Sequence, residues 1–211
     1  MKINLDSPVI VFLTTVADFM ILNILFILCC APVITIGPAV SALYTITMRE
    51  ARHEGGYIFK PFFKAFKNNF KQAFLLSILY LIIGASFVFG VKFWIEKPEF
   101  STVNQVILVI TGVFAVIFIF SLLYLFALIA RFDNTIFKSV KNAVMLAVFN
   151  LRETFLLTLI HVIVIVLMIF TKGIWIFMMV GGFSVCAYIN SLLFIRVFRQ
   201  YEKIEGGNHD D

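Results

Sequence analysis

Five stretches of this chain, at about residues 9–31, 74–91, 103–130, 155–171 and 173–195, carry almost no charge. A bilayer's hydrocarbon core, about 30 Å thick, is crossed by roughly 20 helical residues. Runs of this length predict transmembrane helices, and five of them predict an all-α, polytopic helical bundle. Composition closes off the alternative of a water-soluble core. Hydrophobic residues make up 62% of the 211 positions and charged residues only 14%, whereas about a quarter of a soluble domain is charged. A single transmembrane domain over residues 1–205, followed by a flexible polar tail over 206–211, is the expected organisation. The N-terminus reads as a retained helix. Only Lys2 precedes Asp6 and Pro8, and the apolar run that follows is too long for the core of a cleaved signal. Cys29, Cys30 and Cys186 all lie inside apolar runs and read as small buried hydrophobes rather than a disulfide framework.

A sixth helix is written into "PVITIGPAVSALYTITM", residues 32–48. Pro38 suits the first turn of a helix, where its missing N–H is no loss. The segment therefore predicts a break over 31–37 and a helix over about 38–52.

Lysine and arginine in short loops stay on the cytoplasmic side, and they are unevenly spread. Arg49, Arg52, Lys60, Lys64, Lys67 and Lys71 fall in one segment, Arg131, Lys138, Lys141 and Arg152 in a second, Arg196, Arg199 and Lys203 in the tail. Lys92, Lys97 and Lys172 fall between the other span ends. This predicts a multi-pass protein of a bacterial cytoplasmic membrane with basic loops and C-terminus in the cytoplasm. Five spans put the N-terminus outside, and six put it inside. A weak internal repeat favours six: "SALY" (41–44) recurs as "SLLY" (121–124), "IFK" (58–60) at 136–138, and "FLLS" (74–77) as "FLLT" (155–158). It pairs residues 38–91 with 117–171 as a parallel duplication of the kind seen in transporters.

The segment "YIFKPFFKAFKNNFKQAF", residues 57–74, has two stripes. At 100° per residue Lys60, Lys64, Lys67 and Lys71 fall within about 60° of one another, and Phe59, Phe62, Phe63, Phe66, Phe70 and Phe74 fill a separate arc of about 120°. A basic amphipathic helix on the cytoplasmic face follows, with two compatible roles. Its phenylalanines can sink among acyl chains while its lysines meet anionic lipid, or Lys60, Lys64, Lys67, Lys71, Phe62, Phe66 and Phe70 can dock a partner.

Polar residues within the spans are the other candidates. Asp18, Asn23, His161 and Asn190 can serve as interhelical hydrogen-bond glue, or Asp18 and His161 can mark a substrate or proton path. Among recognised catalytic signatures H-E-x-x-H, a P-loop, G-x-S-x-G and CxxC are all missing. No catalytic residue, cofactor or metal set is therefore read, and no enzyme activity is expected. Glu50 and Glu54 beside Arg49, Arg52 and His53 read as a solvated helix end. His209, Asp210 and Asp211 read as part of the tail.

Several segments together carry a resemblance to a family: Ala17, Asp18 and Asn23 in an "ADxxxxN" first helix, then "PVITIGPAVSALYTITMRE", "EGGYIFKPFFKAFKNNFKQ" and "ARFDNTIFKSVKNAVMLAVFNL". Over most of its length, most weakly after about residue 155, the chain resembles the YesL-like family of bacterial integral membrane proteins. That family has no established biochemical activity, and its genes often adjoin those for carbohydrate uptake and polysaccharide degradation. The resemblance implies an accessory or assembly role near carbohydrate uptake and assigns no catalytic residues. The segment "EARHEGG", Glu50 to Gly56, is similar to the "EAAxxxG" segment by which ABC permeases hold their ATPase. It matches at Glu50, Ala51 and Gly56 and lacks the later "IxLP". The expected partners are the lipid bilayer, anionic lipid at its cytoplasmic face and an ABC-type sugar permease, and not nucleic acid. The alternative reading is a small autonomous transporter using a polar intramembrane site.

Overall fold

The computed structural model describes residues 8–96 and 102–206. Lys2, Asp6, Lys97 and the tail residues His209, Asp210 and Asp211 lie outside these. Every regular element among the described residues is helical: α1 (Pro8–Cys30), a short 3-10 turn (Val33–Thr35), α2 (Ile36–Ala51), α3 (Phe59–Ile95), α4 (Thr102–Arg131), α5 (Ile136–Phe149), α6 (Leu151–Phe170), α7 (Ile174–Phe177) and α8 (Phe183–Gly206). A π-helical segment, Met178–Gly182, joins α7 to α8. Five helical stretches are long and apolar enough to cross a membrane: Phe12–Cys30, Phe59–Ile95, Thr102–Arg131, Leu151–Phe170 and Ile174–Glu202. The expected all-α polytopic bundle is the fold observed.

The Pro/Gly-punctuated sixth helix exists as α2 and starts at Ile36, two residues before the expected boundary. Its 16 residues rise only about 24 Å, yet it is the central helix, packed against α1, α3, α4 and α8. Gly37 makes its approach to α3 possible. A Cβ there would meet Ser77 Oγ, the Phe126 ring at 2.8 Å and the Ala73 carbonyl at 3.0 Å. α2 and the first half of α3 run antiparallel, Ser41 opposite Asn69 and Gly37 opposite Ala73 and Ser77. The reversal between them uses left-handed backbone at His53 (φ 59) and Gly56 (φ 122).

Two features depart from the sequence reading. The amphipathic segment 57–74 and the span 74–91 are not separate elements. They form one unbroken helix of 37 residues, about 55 Å long. No Gly or Pro stands between Phe62 and Ile83, so nothing in the chain interrupts it, and Pro61 falls in its first turn. The basic segment 131–153, read as a connection, contains the helix α5. Thr135 caps α5, its side chain accepting from the Lys138 N–H, and Asn150 separates it from α6 with φ −112° and ψ 56°.

The three basic segments meet at one end of the bundle. Gln72 donates to the Asn134 carbonyl and to Ser139 Oγ, both at 2.9 Å. Arg131 pairs with Glu202 at 2.9 Å, and Asn150 donates to the Tyr201 hydroxyl at 3.1 Å. At the opposite end, Lys92 lies in the last turn of α3 and Lys172 just after α6. The core sits toward the basic end, where Phe62, Leu76, Tyr124, Leu125, Leu157 and Phe194 are wholly buried. At the other end the outer turns of α3, α4 and α6 present exposed side chains such as Leu81, Phe89, Phe114, Ile165 and Phe170, as lipid-facing helices do. There α3 and α4 flank a groove of about 670 Å³, lined by Phe87, Val88, Val91 and Phe118 among others.

Candidate functional site

The polar groups inside the bundle are short side chains that stitch helices together. Where α2 crosses α8, Thr47 and Ser191 share a hydrogen bond of 2.7 Å. One turn away Asn190 points its amide nitrogen at the Tyr44 hydroxyl across 3.5 Å, a distance at which little bonding is left. Asn190 is 2% exposed and its Oδ1 has no partner. The Phe194 ring lies beside this seam. Tyr44 meets it edge-on at 5.2 Å and Tyr124 does the same at 5.6 Å. The Tyr124 hydroxyl in turn bonds Thr154 at 3.0 Å. Hydroxyls and amides of this kind fix helix register; none of them is a carboxylate or imidazole suited to proton transfer.

Asn23 occupies a second setting. A π-helical turn shifts its hydrogen bonds by one residue and leaves carbonyls in need of donors. Asn23 is fully buried and supplies them, its Nδ2 donating to the Met178 and Met179 carbonyls at 2.9 and 2.8 Å. Its Oδ1 accepts from the Ser184 N–H at 3.1 Å. Ser184 Oγ completes the junction by donating to the Phe19 carbonyl at 2.8 Å. The "N" of the "ADxxxxN" pattern thus holds α1 to the one π-helical segment among the described residues.

Asp18 and His161 join neither setting. Asp18 is exposed on α1, one turn from the exposed Ile21. The Nδ1 of His161 lies 2.8 Å from the Leu157 carbonyl of its own helix. α1 packs against α2, α3, α8 and the π segment, whereas α6 packs against α4, α5, α7 and α8. The four polar residues singled out in the spans therefore do not form one cluster. Among the described residues no three His, Cys, Asp or Glu side chains lie together as a metal site would need.

The basic end carries the charged surface. Lys60, Lys64, Lys67 and Lys71 are exposed, and among the described residues no carboxylate pairs with any of them. The face opposite is packed on the bundle: Phe62 is 0% exposed, Ala65 and Ala73 are buried, and Asn69 donates to Ser41 Oγ at 2.9 Å. This corrects the reading of the phenylalanine stripe. Phe62 lies in the core, out of reach of lipid or a partner, and Phe66 is half-buried against that core. Phe70 is half-buried between Phe66 and Phe74, with ring centroids 5.5 and 5.9 Å away. The aromatics left in the open are Tyr57, Phe59 and Phe63, at the start of the helix. Nearby, Arg52 Nε meets Glu54 Oε1 at 2.6 Å, and that hydrogen bond holds the Glu54 carboxyl below the usual range.

A pocket that sequence reasoning had not found lies at the same end, where α4, α5 and α8 converge. It has about 200 Å³ and is lined by Phe132, Asn134, Asn142, Met145, Tyr201 and Glu202, with Leu128, Leu146 and Phe198 at its floor. It depends on α5, which the sequence reading did not recognise as a helix.

Residues 19–91 match a family model described as "Protein of unknown function, DUF624". The match covers the second half of α1, all of α2 and nearly all of α3, and so includes Asn23, Gly37 and the lysine face. Neither the curated proteins nor the solved structures gave a match to this chain.

Proposed function

We propose that this integral membrane protein is a YesL-like accessory or assembly component of carbohydrate uptake in a bacterial cytoplasmic membrane, without catalytic activity of its own. The observation that carries this reading is the unpaired lysine face of α3. Four ammonium groups stand on the side of the helix turned away from the bundle, which favours an anionic partner outside this chain. Gathering of the basic segments at one end supports a cytoplasmic location for that end and for the C-terminus. Anionic lipid and an ABC-type sugar permease are the partners it suits. The separation of Asp18 from His161 gives no support to a proton path between them, so the accessory role is preferred to autonomous transport.

The test is a tagged purification from native membranes in a mild detergent, with quantitative mass spectrometry. An ABC permease or its ATPase recovered at near-equal stoichiometry is the expected result. Recovery of the tagged protein alone would rule out a stable subunit.

A further inference from the structure

The lysine face can be assigned a class of occupant from the geometry of α3. A helix that lies flat in the interface keeps all its basic residues at one depth. α3 cannot do this, because its basic half continues without a break into its membrane-spanning half and is packed on α2 along the way. If the hydrocarbon begins near Phe74, Lys71 stands about 5 Å from it, Lys67 about 10 Å, Lys64 about 15 Å and Lys60 about 21 Å at 1.5 Å per residue. The headgroup layer is only about 5–8 Å thick, and charge at its surface is screened within about 8–10 Å at physiological ionic strength. Lys71 and Lys67 are within reach of lipid, Lys64 stands at the outer edge of the lipid's field, and Lys60 lies beyond it.

The exposed aromatics lie at that same far end. Tyr57 is 90% exposed and Phe59 59%, and Phe63 is exposed beside them. Headgroups cannot cover them there, and apolar side chains gathered at a solvent-facing point mark protein contact surfaces. The helix α5 provides the contrast. It is folded against α4 instead of continuing into a span, and its exposed Phe137, Met145, Val148 and Phe149 with Lys138 and Lys141 suit a helix lying at a lipid interface.

From this we infer that the outer end of α3, Lys60 and Lys64 with Phe59 and Phe63, docks an acidic protein helix that stands alongside the bundle, its carboxylates matching the lysines and its apolar residues covering the two rings. Lipid takes α5 and the end of the lysine face that holds Lys67 and Lys71. The inference rests on the accessory role proposed above and names the chemistry of the partner.

Two measurements on the full chain test it, both in nanodiscs and both independent of the native partner. Spin labels are placed singly at positions 60, 64, 67 and 71 after Cys29, Cys30 and Cys186 are replaced by Ala. Their collision rates with oxygen and with a water-soluble nickel chelate report depth. Steadily growing distance from the membrane from 71 to 60 is expected, and four equal depths at headgroup level would overturn the inference in favour of lipid anchoring. The second probe is a labelled helical peptide with Glu at i, i+4 and i+7 and Leu between them, read by fluorescence anisotropy in neutral phosphatidylcholine discs. Binding at least tenfold tighter than that of a scrambled peptide of the same composition is expected. It should be lost in Lys60→Glu/Lys64→Glu and regained when the peptide's Glu residues become Lys. Equal binding of ordered and scrambled peptides, or binding untouched by charge reversal, would overturn it. Failure of the permease to co-purify while both probes behave as expected would count against the accessory role and leave the docking face standing.

Discussion

The hairpin α2–α3 and the stretch α4–α5–α6 share their anchor points. Ser41 and Ser121 are both buried, and the two tyrosines that follow, Tyr44 and Tyr124, meet the same Phe194 ring from two helices. Farther on, Leu76 and Leu157 are both fully buried. Each is followed by a hydroxyl, Ser77 or Thr158, that donates to the carbonyl four residues back at 2.7 Å. Between these anchors the two regions part. In the first, the basic segment is the leading half of one continuous helix. In the second, Asn150 leaves helical geometry, and the basic segment becomes α5, folded against the end of α4. One residue's backbone angles therefore decide whether a basic segment extends the bundle or folds back onto it. The extended version exposes its lysines along the helix with Phe59 and Phe63 gathered at its start, and the folded one exposes Lys138 and Lys141 among Phe137, Met145, Val148 and Phe149.

Mutations can break this comparison or refine it. Phe194 serves both regions, so Phe194→Ala should cost the most, about 3–5 kcal/mol, measured as loss of unfolding stability in mild detergent. Gly37→Val acts on the first region alone, where it would force α2 from α3 at a cost of about 1–3 kcal/mol. The position that corresponds in the second region is Ile117, half-buried, and Ile117→Val should cost about 0.5–1.5 kcal/mol at most. Equal losses at the two sites would mean that α2–α3 packing is not closer than its counterpart. Asn150→Ala removes donors to the Leu146 carbonyl and the Tyr201 hydroxyl and should cost about 1 kcal/mol. The smallest effect belongs to the lysine face. Replacing Lys60, Lys64 and Lys67 by Gln should each change stability by no more than about 0.5 kcal/mol, since they are exposed and, among the described residues, no carboxylate pairs with them.

Much of the architecture could be read from the chain because it depends on length and punctuation. Five apolar runs gave five candidate spans, and Pro38 located the start of α2 to within two residues. What escaped depends on what a helix face packs against. The stripe containing Phe62 and Phe66 has the spacing of a membrane-binding face, and the same spacing serves a face buried on α2; periodicity carries no mark of the neighbour. The helix α5 was missed because its 14 residues hold too little apolar sequence for a span and two lysines that suit a loop. Asn23 was legible as interhelical glue, but its partners were not, since nothing in "MMVGG" alone announces a π-helical turn. Asn23→Leu should cost about 1–3 kcal/mol by stranding those carbonyls. Asn190→Leu, which removes an oxygen already without a partner, should cost less. Similar losses would show that the two asparagines contribute alike.

Three basic segments form one end of the bundle, and the proposed function requires that end to face the cytoplasm. Single cysteines at Lys64, Lys141 and Lys172, in the Cys29→Ala/Cys30→Ala/Cys186→Ala background, can be treated with a membrane-impermeant maleimide on intact cells. The account predicts labelling at 172 before permeabilisation and at 64 and 141 only after it. Labelling of 64 or 141 from outside, or of the two at different stages, would contradict it.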